Sequence, residues 1–165
     1  MNNKLNLWLI CSFIVAASIT VWIYFKLDEQ VGDIAFNRKQ DLLEFRPCND
    51  DKIFQYYSLN TDYRGGKRAM KQDILQNTQI KNLPKNGLLT IRYVVNCKGD
   101  SGYFRAKMID PELNEIDISN KDLSELYSVL AKLQKWQPGM IQNQMQDSYV
   151  QITFKFYKGK IIDIF

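Results

Sequence analysis

Two different spacings of apolar residues follow each other in the last third of the chain. From Leu123 to Leu133 apolar residues recur every three or four positions, which predicts an amphipathic helix running to Lys135. The sequence Trp136-Gln137-Pro138-Gly139 ends it. From Ser148 to Tyr157 apolar and polar residues alternate singly, which predicts a strand with one buried face. This order of helix, turn and amphipathic strand favours a binding domain over a catalytic one.

The same patterns predict the elements that come before. Lys67 to Asn77 is expected as a short helix, with an apolar side made of Met70, Ile74 and Leu75. Two further strands, Leu88 to Asn96 and Tyr103 to Ile109, flank a hairpin turn that contains Gly99. Ile53 to Leu59 is expected to be extended, Leu83 to Gly87 to form a loop, and Ser119 with Asp122 to cap the last helix.

Strands with helices on one face define an α+β domain. We expect two helices packed on a small, mostly antiparallel sheet of three to four strands. Residues 47–165 form this domain, 26–46 a short tether that could be helical, 5–25 a membrane segment and 1–4 an N-terminal tail. The chain is 45% hydrophobic and 24% charged, which allows one packed core.

The N-terminal segment is long enough to cross a bilayer. Leu7 to Phe25 carries no charge and includes three aromatic residues suited to a membrane interface: Trp8, Trp22 and Tyr24. A cleaved signal peptide is the alternative, but the residues after Ala16-Ala17-Ser18 stay apolar. We therefore favour an uncleaved, single-pass anchor.

Two cysteines lie outside the membrane segment, Cys48 and Cys97. An even pair in an exported domain suits one disulfide, which would place the domain in an oxidising compartment. Two unrelated buried thiols are the alternative.

The composition excludes several classes of site. The chain has no histidine, so catalytic sites that need a histidine base and metal sites that need imidazole are excluded. No nucleophile motif is present, and we predict no catalytic residue, cofactor or metal; a carboxylate-only enzyme stays an open alternative. The net charge of +4 is too mild to indicate nucleic acid.

Four features have both a binding and a structural interpretation, and in each case we favour the structural one. Trp136 could stack on a ligand or close the core. Gly65-Gly66 could hold an anion or form a turn. The acidic residues between Asp110 and Asp117 could bind calcium or form a solvated loop. The basic and aromatic residues from Phe154 to Lys158 could bind single-stranded nucleic acid or simply alternate along a strand.

Several of these motifs occur in an order that resembles the C-terminal domain of the TonB family. Tyr63 to Met70, with Gly65 and Gly66, is similar to the family's turn opening its first helix. Gly87 to Gly99 is similar to its first long strand and hairpin turn. Leu130 to Gly139, with Trp136, Pro138 and Gly139, is similar to the end of its second helix, and Tyr149 to Phe156 to its closing strand. The resemblance covers roughly residues 57–157.

The resemblance implies an inner-membrane protein whose C-terminal domain lies in the periplasm and takes part in protein transport. Family members grip a segment of an outer-membrane transporter by adding it as a strand to their sheet. Carried onto this chain, the strand that binds the partner contains Tyr149, Gln151, Thr153 and Lys155. A second copy of this chain, giving a homodimer, is an open alternative for the partner.

Three features depart from the family pattern. The membrane segment has no histidine, the tether has no proline-rich rod, and Asn77-Thr78-Gln79 stands where the family has Tyr-Pro. The first two concern energy transduction and leave the fold expectation unchanged. The alternative function is therefore a structural or assembly subunit of an envelope complex.

Overall fold

The computed structural model of the chain describes residues 2–31, 34, 36–38, 41, 44–77 and 86–165. They fall into two compact units, Met1–Asp33 and Ile34–Phe165. Most of the expected loop at 83–87 and part of the expected tether lie outside the described residues.

The first unit is one helix, α1 (Asn2–Val31). Its stretch Asn6–Phe25 has a mean hydropathy of 2.1 and is long and apolar enough to cross a membrane, judged by length and composition alone. The hydroxyls of Ser12, Ser18 and Thr20 donate to carbonyls three or four residues earlier. These polar groups are therefore satisfied inside the helix, as a lipid environment requires. The helix also continues into the segment expected as a tether.

The second unit is α+β, as predicted. In chain order the described residues form β1 (Phe54–Gln55), α2 (Tyr56–Leu59), β2 (Asp62–Tyr63), α3 (Gly66–Asn77), β3 (Gly87–Val95), β4 (Ser101–Ile109), β5 (Glu115–Ile116), α4 (Asn120–Ala131), β6 (Trp136–Gln137), β7 (Met140–Ile141), β8 (Gln144–Met145), β9 (Ser148–Tyr157) and β10 (Lys160–Ile164).

The main sheet is larger than expected. Within the described residues it has six strands in the order β1-β9-β3-β4-β5, and β10 also pairs with β9. Strand β1 is parallel to β9, and the other pairs are antiparallel. Two of the added strands, β1 and β5, are two residues long, which is too short for a hydrophobic period to reveal.

The main core lies between this sheet and the two longer helices. The alternation predicted for β3, β4 and β9 is confirmed, because their apolar faces bury Leu89, Ile91, Tyr93, Val95, Phe104, Met108, Val150, Ile152, Phe154 and Phe156. From the helices, α3 buries Met70 and Ile74, while α4 buries Leu123, Leu126 and Leu130.

Three details of the predicted elements are wrong. Leu75 is 42% exposed, because it lies off the face of α3 that carries Met70 and Ile74. Helix α4 ends at Ala131 rather than Lys135, although Ser119 caps it by accepting from the Asp122 N–H. In the stretch Ile53 to Leu59 only Phe54–Gln55 is a strand, because the chain then makes the helical turn α2, which ends in a left-handed residue at Asn60.

The opposite face of the sheet is covered by residues from the segment that was predicted to be a tether. We call residues 34–47 the arm. Its Ile34 and Phe45 are buried in a second apolar cluster with Val94, Tyr103 and Tyr149. The Ile34 N–H also donates to the Tyr149 hydroxyl, at 3.2 Å. The compact unit therefore begins at Ile34 rather than at residue 47.

The predicted disulfide between Cys48 and Cys97 is confirmed, with the two Cα atoms 6.0 Å apart. Beside it lies Asp147, whose buried carboxylate accepts from the main-chain N–H groups of Asn49 and Cys97, each at 2.7 Å. The end of the arm is thus fixed to the β3–β4 turn by one covalent bond and to the start of β9 by a charged acceptor.

Candidate peptide-binding cleft

The strand expected to bind a partner, β9, is a central strand. It pairs with β3 from Ser148 to Phe156. Its other edge pairs with β1 at Ser148 and Tyr149 and with β10 from Phe154 to Tyr157. Thr153 exchanges two main-chain hydrogen bonds with Phe165, at 2.8 and 3.0 Å. The expectation of an open edge is therefore wrong at Tyr149, which β1 covers, and at Thr153 and Lys155, because the chain after Lys158 folds back onto β9.

Gln151 is the exception. The bonds to Phe165 show that the N–H and C=O of Thr153 point away from β3. Main-chain groups two residues apart in a strand point to the same side, so those of Gln151 face this edge too. They lie between the part of β9 paired with β1 and the part paired with Phe165, and none of the described residues hydrogen-bonds to them.

The gap at Gln151 opens into a cleft of about 320 Å³. Its apolar wall consists of Met70, Trp136, Val150, Ile152 and Phe165. The polar lining is Thr61, Asp62, Tyr63, Lys67, Gln151 and Thr153. An unpaired donor and acceptor beside an apolar wall is the arrangement that a short extended peptide satisfies.

Two short strands and a helix start build the wall facing β9. Tyr63 in β2 pairs with Trp136 in β6, and their rings meet edge to face at 5.1 Å. Gly65 and Gly66 then turn the chain with positive φ, at 88° and 70°, into α3. This turn is favourable for glycine because an L side chain would be strained there. It brings Lys67 and Met70 to the cleft.

A small charged network fixes α3 to this wall. The Tyr63 hydroxyl donates to Asp73 at 2.6 Å, and the Lys135 ammonium donates to the same carboxylate oxygen at 2.8 Å. The hydrogen bond from Lys135, followed by that from Tyr63, lowers the pKa of Asp73 below its ordinary value. Burial, followed by the Asp73 carboxylate, raises the pKa of Tyr63. Both shifts favour the charge states that hold the network together at neutral pH.

The remaining motif residues have structural positions. Trp136 is buried in the core, as favoured, and also lines the cleft. Gly99 lies in the β3–β4 turn with φ of 88°, close to the Trp136 carbonyl. Gly139, which follows Pro138, packs directly on Leu59.

Two places where acidic side chains could bind a metal ion have those side chains occupied by protein contacts. The Asp110 carboxylate accepts from the main-chain N–H and the side-chain amide of Asn114, at 2.7 and 3.0 Å. The amide bond from Asn114 contributes most to lowering the pKa of Asp110. In the described part of the chain, Cys48, Cys97 and Asp147 are the cluster of three potential metal ligands. The disulfide and the two N–H groups on Asp147 occupy them.

Three features escaped the sequence reasoning: the cleft, the docked arm and a β7–β8 hairpin. The cleft is assembled from residues more than 100 positions apart, which no local pattern reveals. For the hairpin a signal existed in the sequence. Gln142-Asn143 can form a two-residue turn, and it stands between Met140-Ile141 and Gln144-Met145, which pair as the two strands.

The chain was compared with protein-family models, curated proteins and solved structures, and none of the three comparisons finds a match. The TonB resemblance therefore stays an expectation from the quoted motifs.

Proposed function

We propose that the chain is a membrane-anchored protein-interaction module whose cleft takes an extended segment of a partner protein. The observation that carries the proposal is the gap in β9, where the main chain of Gln151 offers one donor and one acceptor beside an apolar wall. A peptide residue in extended conformation satisfies both groups at once.

The length of the gap determines how the partner binds. Tyr149 and Thr153 already pair with β1 and Phe165, so one ligand residue pairs fully with Gln151. Two hydrogen bonds stabilise the complex by roughly 0.5–1.5 kcal/mol each. Contact of an apolar ligand side chain with Met70 and Trp136 adds to this. We expect a weak, reversible grip on a segment containing at least one apolar residue.

The disulfide and α1 support the proposed location. A disulfide between Cys48 and Cys97 persists in an oxidising compartment such as the periplasm, and the apolar stretch Asn6–Phe25 suits a single-pass anchor. We place the protein in the inner membrane with its C-terminal domain in the periplasm. Residues 26–33 span at most about 30 Å when fully extended, so the partner segment must come near that membrane. An outer-membrane transporter would have to extend inward to meet it.

A second candidate function is a structural or assembly subunit of an envelope complex. The observation that favours it is that the chain's own β1 and β10 fill most of the β9 edge. Exchange of residues 5–25 for an unrelated membrane helix separates the two functions. An energy transducer loses activity on this exchange, whereas a scaffold retains it.

The test of the cleft uses a photo-reactive residue in place of Lys67, in the full chain and in native membranes. We compare capture in two backgrounds, Gln151→Pro and Gln151→Ala. Proline removes the N–H that faces the cleft but no hydrogen bond to β3, whereas alanine keeps the main chain intact. Capture of a discrete partner that is lost with proline and kept with alanine supports the proposal. Equal capture in both variants, with an intact disulfide showing that both are folded, overturns it.

A further inference from the structure

A small hairpin extends from the domain between α4 and β9. It consists of β7 and β8, with Met140 opposite Met145 and Ile141 opposite Gln144. The two turn residues, Gln142 and Asn143, both have positive φ, at 49° and 62°. All six residues from Met140 to Met145 are exposed. An isolated two-stranded hairpin is at best marginally stable in water, so this one depends on how its base is held.

The base of the hairpin is fixed firmly. The Gly139 N–H donates to the Thr61 hydroxyl at 3.1 Å, and the Gln146 N–H donates to the Gly139 carbonyl at 3.0 Å. A side chain at Gly139 would lie 2.1 Å from the Leu59 carbonyl oxygen, so the chain approaches α2 more closely than any other residue would allow. The hairpin is therefore held to the domain at its base while its own side chains remain in solvent.

The composition of the hairpin is unusual for an exposed surface. Met140 is 60% exposed, Met145 57% and Ile141 37%. The stretch from Trp136 to Gln146 contains no charged residue, in a chain that is 24% charged. Enrichment in methionine and depletion of charge are typical of the centre of a protein–protein interface. Flexible, polarisable methionine side chains also adapt to different apolar partners.

We infer that the β7–β8 hairpin is a second docking surface for the partner that enters the cleft, and that it contacts an apolar, uncharged part of that partner. The inference rests on the proposed function. Continuity supports it, because Thr61 both lines the cleft and binds the base of the hairpin, and Trp136 lines the cleft at the start of the same uncharged stretch.

A protein fits this surface better than a lipid bilayer. Elements that lie in a membrane interface carry tryptophan or phenylalanine together with lysine or arginine. The six hairpin residues are three apolar and three amide side chains, with neither an aromatic ring nor a positive charge. Their amides can hydrogen-bond a partner's main chain without requiring an opposite charge.

The experiment places a photo-reactive residue at Met145 in one full-length variant and at Lys67 in another, both in native membranes. We expect both positions to capture the same polypeptide. We also expect M140Q/M145Q to lower capture from Lys67 by roughly five- to tenfold, since the lost apolar contact corresponds to about one factor of ten. Leu113→Gln is the matched control, because Leu113 is 76% exposed and lies in the β4–β5 connection, and it should leave capture unchanged.

Three outcomes overturn the inference while leaving the cleft proposal standing: capture from Met145 of only a second copy of this chain, capture of only lipid, or an M140Q/M145Q variant that captures normally from Lys67. Absence of any capture from Lys67 overturns the proposed function, and the hairpin inference with it. All substituted side chains are exposed, so unfolding curves matching the unsubstituted protein verify that the variants fold.

Discussion

The carboxylate of Asp41 accepts hydrogen bonds from both terminal nitrogens of Arg105, at 2.7 and 2.9 Å, across 64 positions of sequence. Only 1% of the Asp41 side chain is exposed, against 28% for Arg105. A paired, two-bond contact of this kind is stronger and more directional than a single ion pair. It fixes the middle of the arm to β4.

Asp41→Asn should therefore destabilise the domain. An amide cannot replace both charge-assisted bonds, and Arg105 keeps its charge with part of its hydration lost. We expect a loss of about 1–3 kcal/mol, less than for a fully buried pair because Arg105 reaches solvent. Urea unfolding measures it. Glu115→Gln is the control, since its pair with Lys107 is about two-thirds exposed and should contribute at most ~0.5 kcal/mol. Similar losses in both variants would contradict a fastening role for Asp41.

Gly102→Ala should also destabilise the domain at the arm, by a steric clash rather than by loss of an ion pair. A Cβ at Gly102 would lie 2.3 Å from the Phe45 ring, so the ring or the strand must shift. We expect a loss of about 1–3 kcal/mol. In a Phe45→Ala background the same substitution should cost much less, because the ring atoms are gone and only the Cβ of residue 45 still lies 2.8 Å from the new Cβ. The double-mutant cycle from denaturant unfolding tests this coupling, and additive losses would mean that the ring is not the obstacle.

Removal of the disulfide by Cys48→Ser with Cys97→Ser should cost roughly 4 kcal/mol in the chain-entropy model, given the sequence separation of 49. Denaturant unfolding is measured for the unsubstituted protein and for the double variant, each with and without a thiol reductant. The reductant should lower the midpoint of the unsubstituted protein and leave that of the variant unchanged. A response of the variant to reductant would show that the effect does not come from this bond.

Tyr127→Phe should leave stability at pH 7 unchanged or slightly increased. The buried Tyr127 hydroxyl has no hydrogen-bond partner among the described residues, so its removal relieves a desolvated polar group. The ring, stacked on Phe104 at 5.3 Å, is kept.

The same substitution should reduce the sensitivity to alkali. Burial raises the pKa of Tyr127 from 10.0 to about 12. As pH rises, the unfolded chain releases the Tyr127 hydroxyl proton before the folded protein does. The free energy of unfolding is therefore unaffected by this group below pH 10 and falls as pH rises toward 12. Unfolding free energies measured from pH 8 to 12 should fall less steeply in Tyr127→Phe. An identical slope would show that Tyr127 does not contribute to the alkaline transition.

The sequence predicted the parts of the fold that have a repeated pattern. The alternation in β3, β4 and β9 and the apolar face of α4 assigned most of the main core correctly, because a long period is visible in one sequence, but they did not reveal the second cluster around Ile34 and Phe45. Strand β10 and the two-residue strands β1 and β5 have no such period. They nevertheless decide the site, since β1 and β10 cover all of the outer edge of β9 except Gln151.

Contacts between residues far apart in the sequence were the second kind of feature that could not be predicted. That Asp41 pairs with Arg105, or that Lys67 and Phe165 meet at one cleft, depends on tertiary packing. The disulfide could be predicted because it was the single pairing left to two cysteines outside the membrane segment.

The position of the disulfide determines how the domain bears tension. A pull on the second unit from its N-terminal end first loads Ile34, then the Asp41–Arg105 pair, and then Cys48. There the load passes through the sulfur atoms to Cys97, so the chain between the two cysteines, including β1, β2 and α3, carries no tension. At most the arm can be drawn out, by about 50 Å at full extension. The part of the cleft wall that β2 and the start of α3 supply belongs to that shielded stretch and would keep its shape while the arm is under load.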